Sequence, residues 1–488
     1  MSCILALDQG TSSSKAAVFD ERGRALGVAR AAVTTTFGPR GSALQDPEAI
    51  VRSQRAAIRA AMARAGNPSL AAAGIASQRS TFVLWDRESG RALEEAPTWQ
   101  DTSCAAVCGL LAPHAAAVRA ITGLPLSAHY SAPKLSRLLS GRPALRRKAG
   151  KGALLFGSVA TYLLWRLGRG EVHAIDPTLA ARTLLFDIQT LAWSPRLARL
   201  FGVPPGILPE VRPSLGRFGD IVVEGRRVPV RAMLGDQQAA FLGAVGGGAA
   251  GGAEGRALVN YGTGAFALVP TGGRLVRLEG LLSSLAWTTS SRRRYLVEGT
   301  INAAGSALEW LGGLIGGRPG LGSLDRLCRQ GTGDVRVLAS FWGIGSMRVQ
   351  DGPTQPAAIA GRGGRAPWSR GDLARGTVEG IAHAVQECLD AAARAAPIRS
   401  LVASGSLARL PHLMRFQSAL AGLPIEISAD TEATLRGVGE AVSGGGWPAP
   451  GTRRRRVAAA GAERRAARAC HAEWLGLAES LSGWGMPR

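Results

Sequence analysis

The chain has 488 residues, of which 46% are hydrophobic and 19% charged, a composition that excludes a disordered protein and suits two large globular domains. Its net charge of +23 comes from 58 basic and 35 acidic residues, and most of the bases are arginines scattered along the chain, which disfavours a nucleic-acid partner. No apolar run reaches the length of a membrane span and the chain begins directly with a strand pattern, so we expect a soluble, cytoplasmic protein without a membrane partner.

The first predicted element is a hairpin whose turn concentrates phosphate-binding chemistry. Apolar residues 3–7 and 16–19 predict two short buried strands, with a polar nonapeptide at residues 7–15 between them. Gly10 allows a close backbone approach, hydroxyl and N–H groups can ring phosphate oxygens, and Asp8 can hold Mg²⁺ through water. The other candidates in this turn are Thr11, Ser12, Ser13 and Lys15. On the nonapeptide alone, an ordinary hairpin with a polar turn fits equally well.

Helical and strand patterns alternate through the rest of the first half. Helix patterns cover residues 49–63, 104–118 with an interruption at Pro113, and 154–167. Strand patterns cover 71–76, 81–85 and 228–233. The last strand leads through GDQQ at residues 235–238 into a helix pattern at 239–245. Asp236 therefore lies between a strand and a helix, where a side-chain acceptor commonly caps the free N–H groups of the helix. From this position alone, a capping role is the preferred interpretation.

A glycine-rich stretch at residues 246–252 separates the two halves of the chain. Its GxGxxG spacing is not followed by a helix pattern, so a flexible connection is favoured over a dinucleotide site. We therefore predict an N-terminal domain at residues 1–246 and a C-terminal domain at residues 247–488.

The second half repeats the opening pattern. Apolar strands at residues 257–260 and 265–269 flank a YGTG turn that again contains a Gly-Thr pair. A helix pattern at 373–393 and a strand pattern at 401–403 follow. An amphipathic helix pattern at 462–481 is best explained by packing on the C-terminal domain.

Two Gly-Thr hairpins, one in each half, are typical of the phosphate clamp of actin-like ATPases. Further motifs run in order along the chain: ALDQGT at residues 6–11, SQR at 77–79, WQ at 99–100, LFGS at 155–158, ARTLLF at 181–186, LPEVR at 208–212, GDQQAA at 235–240, YGTG at 261–264 and LMRFQS at 413–418. With this ordered set, the sequence resembles the FGGY carbohydrate kinases, most closely their glycerol kinase members. The resemblance implies an α/β fold with two actin-like ATPase (ribonuclease H-like) domains and a catalytic cleft between them.

The resemblance also implies a reaction and the residues that carry it. A kinase of this family transfers the γ-phosphoryl group of MgATP to a polyol or sugar hydroxyl, chemistry that rests on positioning and charge neutralisation. Asp236 would then be the general base, and Asp8 would supply the metal-linked carboxylate. The resemblance assigns the nucleotide to Thr11, Ser12, Ser13, Lys15, Thr263, Gly305 and Gly405. Lys15 stands where the family usually has arginine, which keeps the charge but loses bidentate geometry.

The acceptor pocket departs from the glycerol kinase pattern. The Arg-Glu pair of those kinases reads Arg79-Ser80 here, which removes a charge-assisted hydrogen-bond acceptor and leaves more room. The remaining pocket candidates are Trp99, His129, Tyr130, Asp236 and Gln237. A buried core position or a packed loop explains the three aromatic candidates about as well as a pocket does. Glycerol, giving glycerol 3-phosphate, is the leading acceptor, and a larger polyol or a sugar such as a ketopentose is the alternative.

The nucleotide side departs from the family pattern as well. The Asp-Gly-Gly turn of the family reads Ser404-Gly405-Ser406, and Glu309 stands where the family has glutamine. Residues 341–361 keep only a trace of the family pattern. These changes leave open a catalytically weak, ligand-binding regulatory protein of the same fold. The residues that carry the reaction are present, which favours an active kinase that uses ATP and Mg²⁺, with homo-oligomerisation left open.

Overall fold

The computed structural model describes residues 3–246, 253–339, 357–361, 367–428, 430, 432–445, 447 and 455–482. Two mixed β-sheets, one on each side of residue 246, form the framework of this part of the chain. Among the described helices, none combines the length and the apolarity that a bilayer crossing requires. The predicted boundary after residue 246 borders a stretch outside the described ranges, so the two domain ranges stay predictions.

The first half contains a six-stranded sheet and several short strand pairs. Its strands are β1 Cys3–Gln9, β2 Ser13–Phe19, β3 Ala25–Ala32, β4 Thr36–Phe37, β5 Ala43–Gln45, β6 Leu70–Ser77, β7 Phe82–Asp86, β8 Ala96–Pro97, β9 Leu154–Ser158, β10 Ala174–Ile175, β11 Phe186–Asp187, β12 Ala192–Trp193, β13 Glu210–Val211, β14 Asp220–Val223 and β15 Arg226–Gly235. Its helices are α1 Pro47–Arg64, α2 Ala105–Leu110, α3 Ala115–Thr122, α4 Ser131–Gly141, α5 Pro143–Gly150, α6 Val159–Leu167, α7 Pro177–Ala180, α8 Pro195–Leu200 and α9 Asp236–Val245.

The strand order of the first sheet determines where its polar loops meet. The order is β14-β15-β6-β1-β2-β3, with β1 antiparallel to β2 and parallel to β6, and β6 parallel to β15. In this register Gln9 of β1 and Gly235 of β15 both lie opposite Ser77 of β6. The residues that follow the three parallel strands therefore meet at one edge of the sheet, which is where ligands bind in open α/β sheets.

The second half repeats this arrangement around a seven-stranded sheet. Its strands are β16 Arg256–Tyr261, β17 Ala265–Gly272, β18 Leu282–Thr288, β19 Arg293–Ile301, β20 Val335–Leu338, β21 Ala358–Gly361, β22 Ser400–Ser404, β23 Ile425–Ile427 and β24 Arg455–Val457. Its helices are α10 Gly305–Leu314, α11 Leu321–Gln330, α12 Arg370–Ala393, α13 Pro411–Ala421, α14 Ala433–Ser443 and α15 Gly461–Ser482. The order is β18-β19-β17-β16-β22-β23-β24, and β16 is antiparallel to β17 and parallel to β22, as β1 is to β2 and β6. This repeat confirms the predicted α/β architecture, with one Gly-Thr hairpin in each half.

Helix α14 joins the two halves because it packs on the first sheet and on α9. The two helices approach so tightly that a Cβ atom on Gly437 would lie 1.8 Å from the carbonyl oxygen of Ala239. Because glycine has no Cβ atom, α9 and α14 can approach this closely at Gly437. Val438 of α14 belongs to the same apolar cluster as Leu234 of β15. This packing brings Glu432, the residue before α14, to the first hairpin.

Two predicted helices differ from the observed elements. Residues 154–167 form strand β9 followed by helix α6 rather than one helix. The Ser158 hydroxyl oxygen accepts a hydrogen bond from the Thr161 N–H at 3.2 Å, and this cap starts the helix after the strand. The pattern at 104–118 breaks into α2 and α3 around a 3₁₀ turn at Ala112–His114, because the proline within that turn interrupts the helix.

The other predicted elements match the observed ones more closely. Strands β16, β17 and β22 and helices α1 and α12 agree with their predicted ranges to within a few residues at each end. Helix α15 packs on the second half, as its amphipathic pattern predicts. Its Trp474 is buried and donates from Nε1 to the carbonyl oxygen of Val337 at 3.1 Å.

Candidate active site

Three charged residues meet where β1, β6 and β15 end. Asp8 lies near the end of β1, Arg79 follows β6, and Asp236 opens α9 directly after β15. Asp236 is close enough to raise the pKa of Asp8, and Nε of Arg79 lies 3.6 Å from Oδ1 of Asp236. The structure thus brings together three predicted site residues that are far apart along the chain.

Asp8 is a buried carboxylate with one oxygen left without a partner. Nζ of Lys15 lies 3.9 Å from Oδ2, whereas Oδ1 has no hydrogen-bond partner among the described residues. Burial raises the pKa of Asp8 to about 7; Lys15 opposes this shift, and the carboxylates of Asp236 and Glu432 add to it. A buried carboxylate oxygen without a hydrogen-bond partner is a fitting ligand for Mg²⁺, either directly or through water.

Lys15, a predicted phosphate ligand, is held by a carboxylate from the other half of the chain. Its Nζ lies 2.7 Å from Oε2 of Glu432, and Nη2 of Arg30 lies 3.3 Å from the other oxygen of that carboxylate. The Lys15 ammonium therefore lies between Asp8 and Glu432. A phosphate group at this position would compete with Glu432, and the assignment of Lys15 to the nucleotide stays a prediction.

The turn of the first hairpin is closed by its own backbone. The N–H of Gly10 donates to the carbonyl oxygen of Ser13 at 3.0 Å. Ser12 is exposed and Ser13 is half-buried, so both hydroxyl groups are within reach of a ligand from the solvent side. Their role as phosphate ligands stays a prediction.

Thr11 connects the hairpin to the predicted acceptor pocket. Its Oγ1 donates to Oε1 of Gln78 at 3.1 Å and accepts a hydrogen bond from Nε1 of Trp99 at 2.8 Å. Trp99 is half-buried rather than part of the core. The core alternative for Trp99 is therefore wrong, and the contact itself joins residues too distant in sequence for spacing to reveal it.

Arg79 is fixed by a buried carboxylate, Glu298, from the second half. Nη1 of Arg79 lies 2.8 and 3.0 Å from the two oxygens, and Arg182 forms a second ion pair with the same carboxylate. Burial opposes ionisation, but the two guanidinium groups prevail and hold the pKa of Glu298 at about 2. Our sequence analysis did not identify Glu298. Glu298 is a lone acidic residue in the apolar part of strand β19, and this sequence pattern could have indicated a buried charged group.

Asp236 is the first residue of helix α9 and not its cap. The cap position is Gly235, and Oδ1 of Asp236 accepts the N–H of Gln237 at 2.8 Å. The capping role preferred from sequence position alone is therefore wrong. Desolvation by the surrounding protein raises the pKa of Asp236, and Arg79 opposes that shift. The side chain keeps 28% of its surface exposed, so the carboxylate is accessible to a substrate.

Two buried polar atoms in the predicted pocket residues have no partner among the described residues. They are Oγ of Ser80 and Oε1 of Gln237. Ser80 also has a positive φ of 65°, an uncommon conformation for a residue with a Cβ atom. Its carbonyl oxygen accepts the hydroxyl of Ser131 at 3.1 Å, which ties this backbone to α4. Buried polar atoms are normally paired, so these two atoms fit the hydroxyl groups of an acceptor.

The three predicted aromatic residues lie side by side. The ring centroids of Trp99 and His129 are 5.6 Å apart, and those of His129 and Tyr130 are 5.0 Å apart. Burial, reinforced by three nearby cations, lowers the pKa of His129 to about 3, so its ring is neutral. Tyr130 belongs to an apolar core cluster, which fits the packed-loop alternative, whereas Trp99 and His129 form a half-buried wall.

The second hairpin has two predicted nucleotide-binding glycines packed against its turn. Thr263 is exposed at this turn, and the N–H of Gly305 donates to the carbonyl oxygen of Gly262 at 3.0 Å. A Cβ atom on Gly405 would lie 2.3 Å from the carbonyl oxygen of Tyr261, and the φ of Gly405 is +90°. Only glycine satisfies both conditions at position 405.

The altered residues on the nucleotide side are also visible. Glu309 is exposed and pairs with Arg318 at 2.9 Å. An apolar cavity of about 150 Å³ opens beside α10, and Leu308, Leu311 and Leu407 are among its lining residues. Most of the eroded segment at 341–361 lies outside the described residues.

Family models cover both halves of the chain. The model of the FGGY family of carbohydrate kinases, N-terminal domain, matches residues 3–243, and the model of the C-terminal domain matches residues 257–439. The first match contains the whole six-stranded sheet, and the second contains the seven-stranded sheet except Arg256 and β24. Each match contains one of the two Gly-Thr hairpins.

Several curated relatives of similar length are named glycerol kinase. The protein of Thermus brockianus is 41% identical over 450 residues, which cover 90% of this chain and 88% of the relative. The protein of Trichlorobacter lovleyi is 38% identical over 456 residues, with 90% and 88% covered. The protein of Polaromonas naphthalenivorans is 35% identical over 454 residues, with 90% and 89% covered.

Solved structures share the fold over nearly the whole chain. The glycerol kinase of Plasmodium falciparum with ADP has a TM-score of 0.87 at 25% identity, covering 99% of this chain and 98% of its own. The xylulose kinase of Rhodospirillum rubrum has a TM-score of 0.85 at 20% identity, covering 99% of each chain. The predicted fold of two actin-like domains is confirmed.

Proposed function

This chain belongs to the FGGY family of carbohydrate kinases, and from that premise we propose that it phosphorylates glycerol with MgATP, giving glycerol 3-phosphate and ADP. ATP-dependent transfer to a sugar or polyol hydroxyl is the reaction class of the family. Relatives named glycerol kinase, at 35% to 41% identity, support glycerol as the acceptor. The structural observation that carries the proposal is the grouping of Asp236 with Arg79 beside the unpaired carboxylate oxygen of Asp8.

In this proposal Asp236 accepts the proton of the attacking hydroxyl. The N–H of Gln237 holds one carboxylate oxygen at 2.8 Å, which leaves the second oxygen available for the substrate. Desolvation raises the pKa of Asp236, so its carboxylate is a stronger base than that of a solvated aspartate. Arg79 keeps the carboxylate ionised and fixes the side on which the hydroxyl can approach.

Polar groups and an aromatic wall would hold the acceptor. The unpaired atoms Oγ of Ser80 and Oε1 of Gln237 each accept a hydrogen bond from an acceptor hydroxyl. Arg79 cannot swing away from the pocket because Glu298 binds its guanidinium group. The wall formed by Trp99 and His129 contacts the carbon chain and excludes water from one side of it.

Both hairpins would hold the nucleotide. Ser12 and Ser13 of the first turn and Thr263 of the second are the accessible hydroxyl residues for its phosphates. Asp8 would hold Mg²⁺, which neutralises charge on the transferred phosphoryl group when it is bound. The apolar cavity beside α10 is the candidate site for the base of the nucleotide.

An ADP-release assay with MgATP and a panel of glycerol, tetritols, pentuloses and hexoses tests the proposed function. Glycerol is expected to give the highest kcat/KM. Measurable ATP binding without ADP release on any acceptor would overturn the proposal in favour of a ligand-binding regulatory protein of the same fold.

Ser80 favours a second candidate, a larger acceptor such as a ketopentose. Its side chain is smaller than the glutamate of the glycerol kinase pattern, and its unpaired Oγ can bind a further hydroxyl group. Turnover of a pentulose at a higher kcat/KM than glycerol would establish this candidate. The Ser80→Glu variant should then shift the preference back towards glycerol.

The proposed setting is the cytoplasm, with small molecules as the partners and without nucleic acid or membrane. None of the six cysteines, all of which lie in the described ranges, forms a disulfide, which is typical of a reducing compartment. Filter binding at increasing salt concentration tests the absence of nucleic acid, since phosphate contacts produce a steep salt dependence. Sedimentation of the purified chain tests for a homo-oligomer.

A further inference from the structure

Lys134 is buried beside the proposed acceptor pocket and binds two backbone carbonyl groups. It lies on α4 and only 2% of it is exposed. Its Nζ donates to the carbonyl oxygen of Thr98 at 2.5 Å and to that of His129 at 2.9 Å. No carboxylate in the described part of the chain forms an ion pair with this ammonium group, so the two carbonyl groups are its hydrogen-bond partners.

The two carbonyl groups belong to the two segments of the aromatic wall. Thr98 directly precedes Trp99, whose backbone N–H donates to Oγ1 of Thr81 at 3.0 Å. The other carbonyl is that of His129 itself, whose ring centroid lies 5.6 Å from that of Trp99. Lys134 therefore connects the segment at residues 98–99 to the loop at residue 129.

A buried ammonium group connects two loops at the cost of desolvating a charge. Burial lowers the pKa of Lys134 to about 8, although Cys104, Asp101 and Cys108 oppose this shift. An apolar side chain of the same length would avoid the desolvation of a charge. It would leave the His129 carbonyl oxygen without its donor, and the Thr98 carbonyl oxygen would keep only the Asp101 N–H at 3.1 Å. The charge of Lys134 also helps to lower the pKa of His129, which keeps the imidazole in the wall neutral.

We propose that Lys134 is a positioning residue for the acceptor substrate, because its ammonium group fixes the separation between the Trp99 and His129 segments of the pocket wall. The inference rests on the proposed function, since it assigns this pocket to the acceptor. Lys134 acts through the wall and not by touching the substrate. A displaced wall weakens acceptor binding in the ground state and the transition state alike, which raises KM and leaves kcat nearly unchanged.

Steady-state kinetics of Lys134→Met test this role with the best acceptor of the panel. The KM for the acceptor is expected to rise roughly tenfold, while kcat and the KM for MgATP change by less than about twofold. Lys134→Arg keeps the charge and the donors, so its acceptor KM should fall between those of the wild type and the Met variant. The matched control is Lys148→Met, which removes a lysine paired with Asp86 at 2.8 Å in the same half and should leave all three constants unchanged.

Non-additivity with Trp99 distinguishes positioning from a general structural effect. In a Trp99→Ala background, Lys134→Met is expected to change the acceptor KM by less than about twofold, because one of the two side chains whose separation it fixes is gone. A full effect in that background would overturn the inference. A wild-type acceptor KM in Lys134→Met, or an equal rise of the KM for both substrates, would overturn it as well.

Hydrogen exchange separates a failure of this inference from a failure of the proposed function. In Lys134→Met the amides of residues 98–101 and 127–131 should exchange faster than in the wild type, with those of β1 unchanged. Unchanged exchange in both segments would overturn the inference whichever acceptor is phosphorylated. If exchange is faster but the protein phosphorylates no acceptor, the role of Lys134 in connecting the two segments stands and the kinase proposal is refuted. If Lys134→Met does not fold, Lys134→Arg provides the comparison with a smaller expected rise in exchange at the same two segments.

Discussion

Nη1 of Arg79 lies 2.8 Å from Oε1 of Glu298, and this ion pair joins the end of the first sheet to strand β19 of the second half. Arg182 pairs with the same carboxylate, so one buried acid is the shared counter-ion of two buried guanidinium groups. Removing a single partner from such a group leaves uncompensated charge in the interior. The arrangement therefore ties the stability of the protein to the position of a proposed substrate-binding residue.

Glu298→Gln is expected to lower the free energy of unfolding by about 3–5 kcal/mol, because Arg79 and Arg182 lose their common counter-charge. Urea unfolding measures the change. Glu309→Gln, which breaks the exposed pair with Arg318, is the matched control and should change it by less than about 1 kcal/mol. Similar values for the two variants would contradict this account of Glu298.

Glu432→Gln is expected to lower the KM for MgATP, because it releases the Lys15 ammonium for the phosphates. Lys15→Met should have the opposite effect and raise this KM by roughly tenfold, since a charge-assisted contact is lost. Initial rates at varied MgATP and saturating acceptor measure both. If neither variant changes the KM for MgATP, Lys15 is a structural partner of Glu432 and not a phosphate ligand.

The effect of Mg²⁺ on thermal stability is expected to depend on pH through Asp8. In the metal-free protein the pKa of Asp8 is raised from 3.8 to about 7, so the folded state holds an extra proton between these values. The contribution of Asp8 to the free energy of unfolding is therefore fully present at low pH and decreases as the pH rises through this window. Mg²⁺ competes with the proton, so the rise in Tm that it causes should be larger at about pH 8 than at about pH 5.

Asp8→Asn is the control for this pH dependence. The amide has no proton to release, so the Mg²⁺-dependent rise in Tm should be small and the same at both pH values. Scanning calorimetry with and without Mg²⁺ provides the comparison. A Tm shift in Asp8→Asn that matches the wild type would place the metal elsewhere.

Asp236→Asn is expected to lower kcat by about 10²–10⁴-fold with little change in the KM for MgATP, because the amide cannot accept the proton of the acceptor hydroxyl. Asp334→Asn alters an exposed aspartate of the second half and should leave kcat unchanged. ADP release at saturating substrates measures both. A kcat near the wild-type value in Asp236→Asn would exclude this residue as the base.

Gly437→Ala is expected to destabilise the protein by about 1–3 kcal/mol or more, because its Cβ atom would lie 1.8 Å from the Ala239 carbonyl oxygen and force α9 and α14 apart. Gly313→Ala is the matched helical control. A Cβ atom there meets nothing within 4 Å, so the change should be neutral or stabilising by up to about 1 kcal/mol. Chemical unfolding measures both, and equal effects would argue against tight packing of the two helices.

Local motifs were sufficient to nominate several candidate residues of the site. Asp8, Thr263 and Asp236 each stand in a short strand–turn or strand–helix pattern that can be read within a few residues. Parallel strand order then brings Asp8 and Asp236 to one edge of the first sheet. The strand at residues 154–158 was missed because a short apolar run suits a buried strand and a buried helix equally well.

The contacts that were not predicted join residues far apart in sequence. Glu298 and Arg79 are 219 positions apart, and Lys15 and Glu432 are 417 positions apart. Pairs of residues this far apart produce no periodic pattern in the sequence, because their contact depends on how complete sheets and helices pack. The contacts of Lys134 are closer in sequence, but its partners are backbone carbonyl groups, which carry no trace in the side-chain pattern.

The position of α14 also determines when the core of the first half can form during synthesis. Val438 and Val442 lie against Gly74 of the first sheet, yet they are synthesised more than 300 residues after it. Until residues 433–443 have left the ribosome, the apolar face around Leu234 lacks this cover. The first half therefore completes its core only after residues 433–443 have been synthesised, and a fragment that ends at residue 246 should associate with itself through that face.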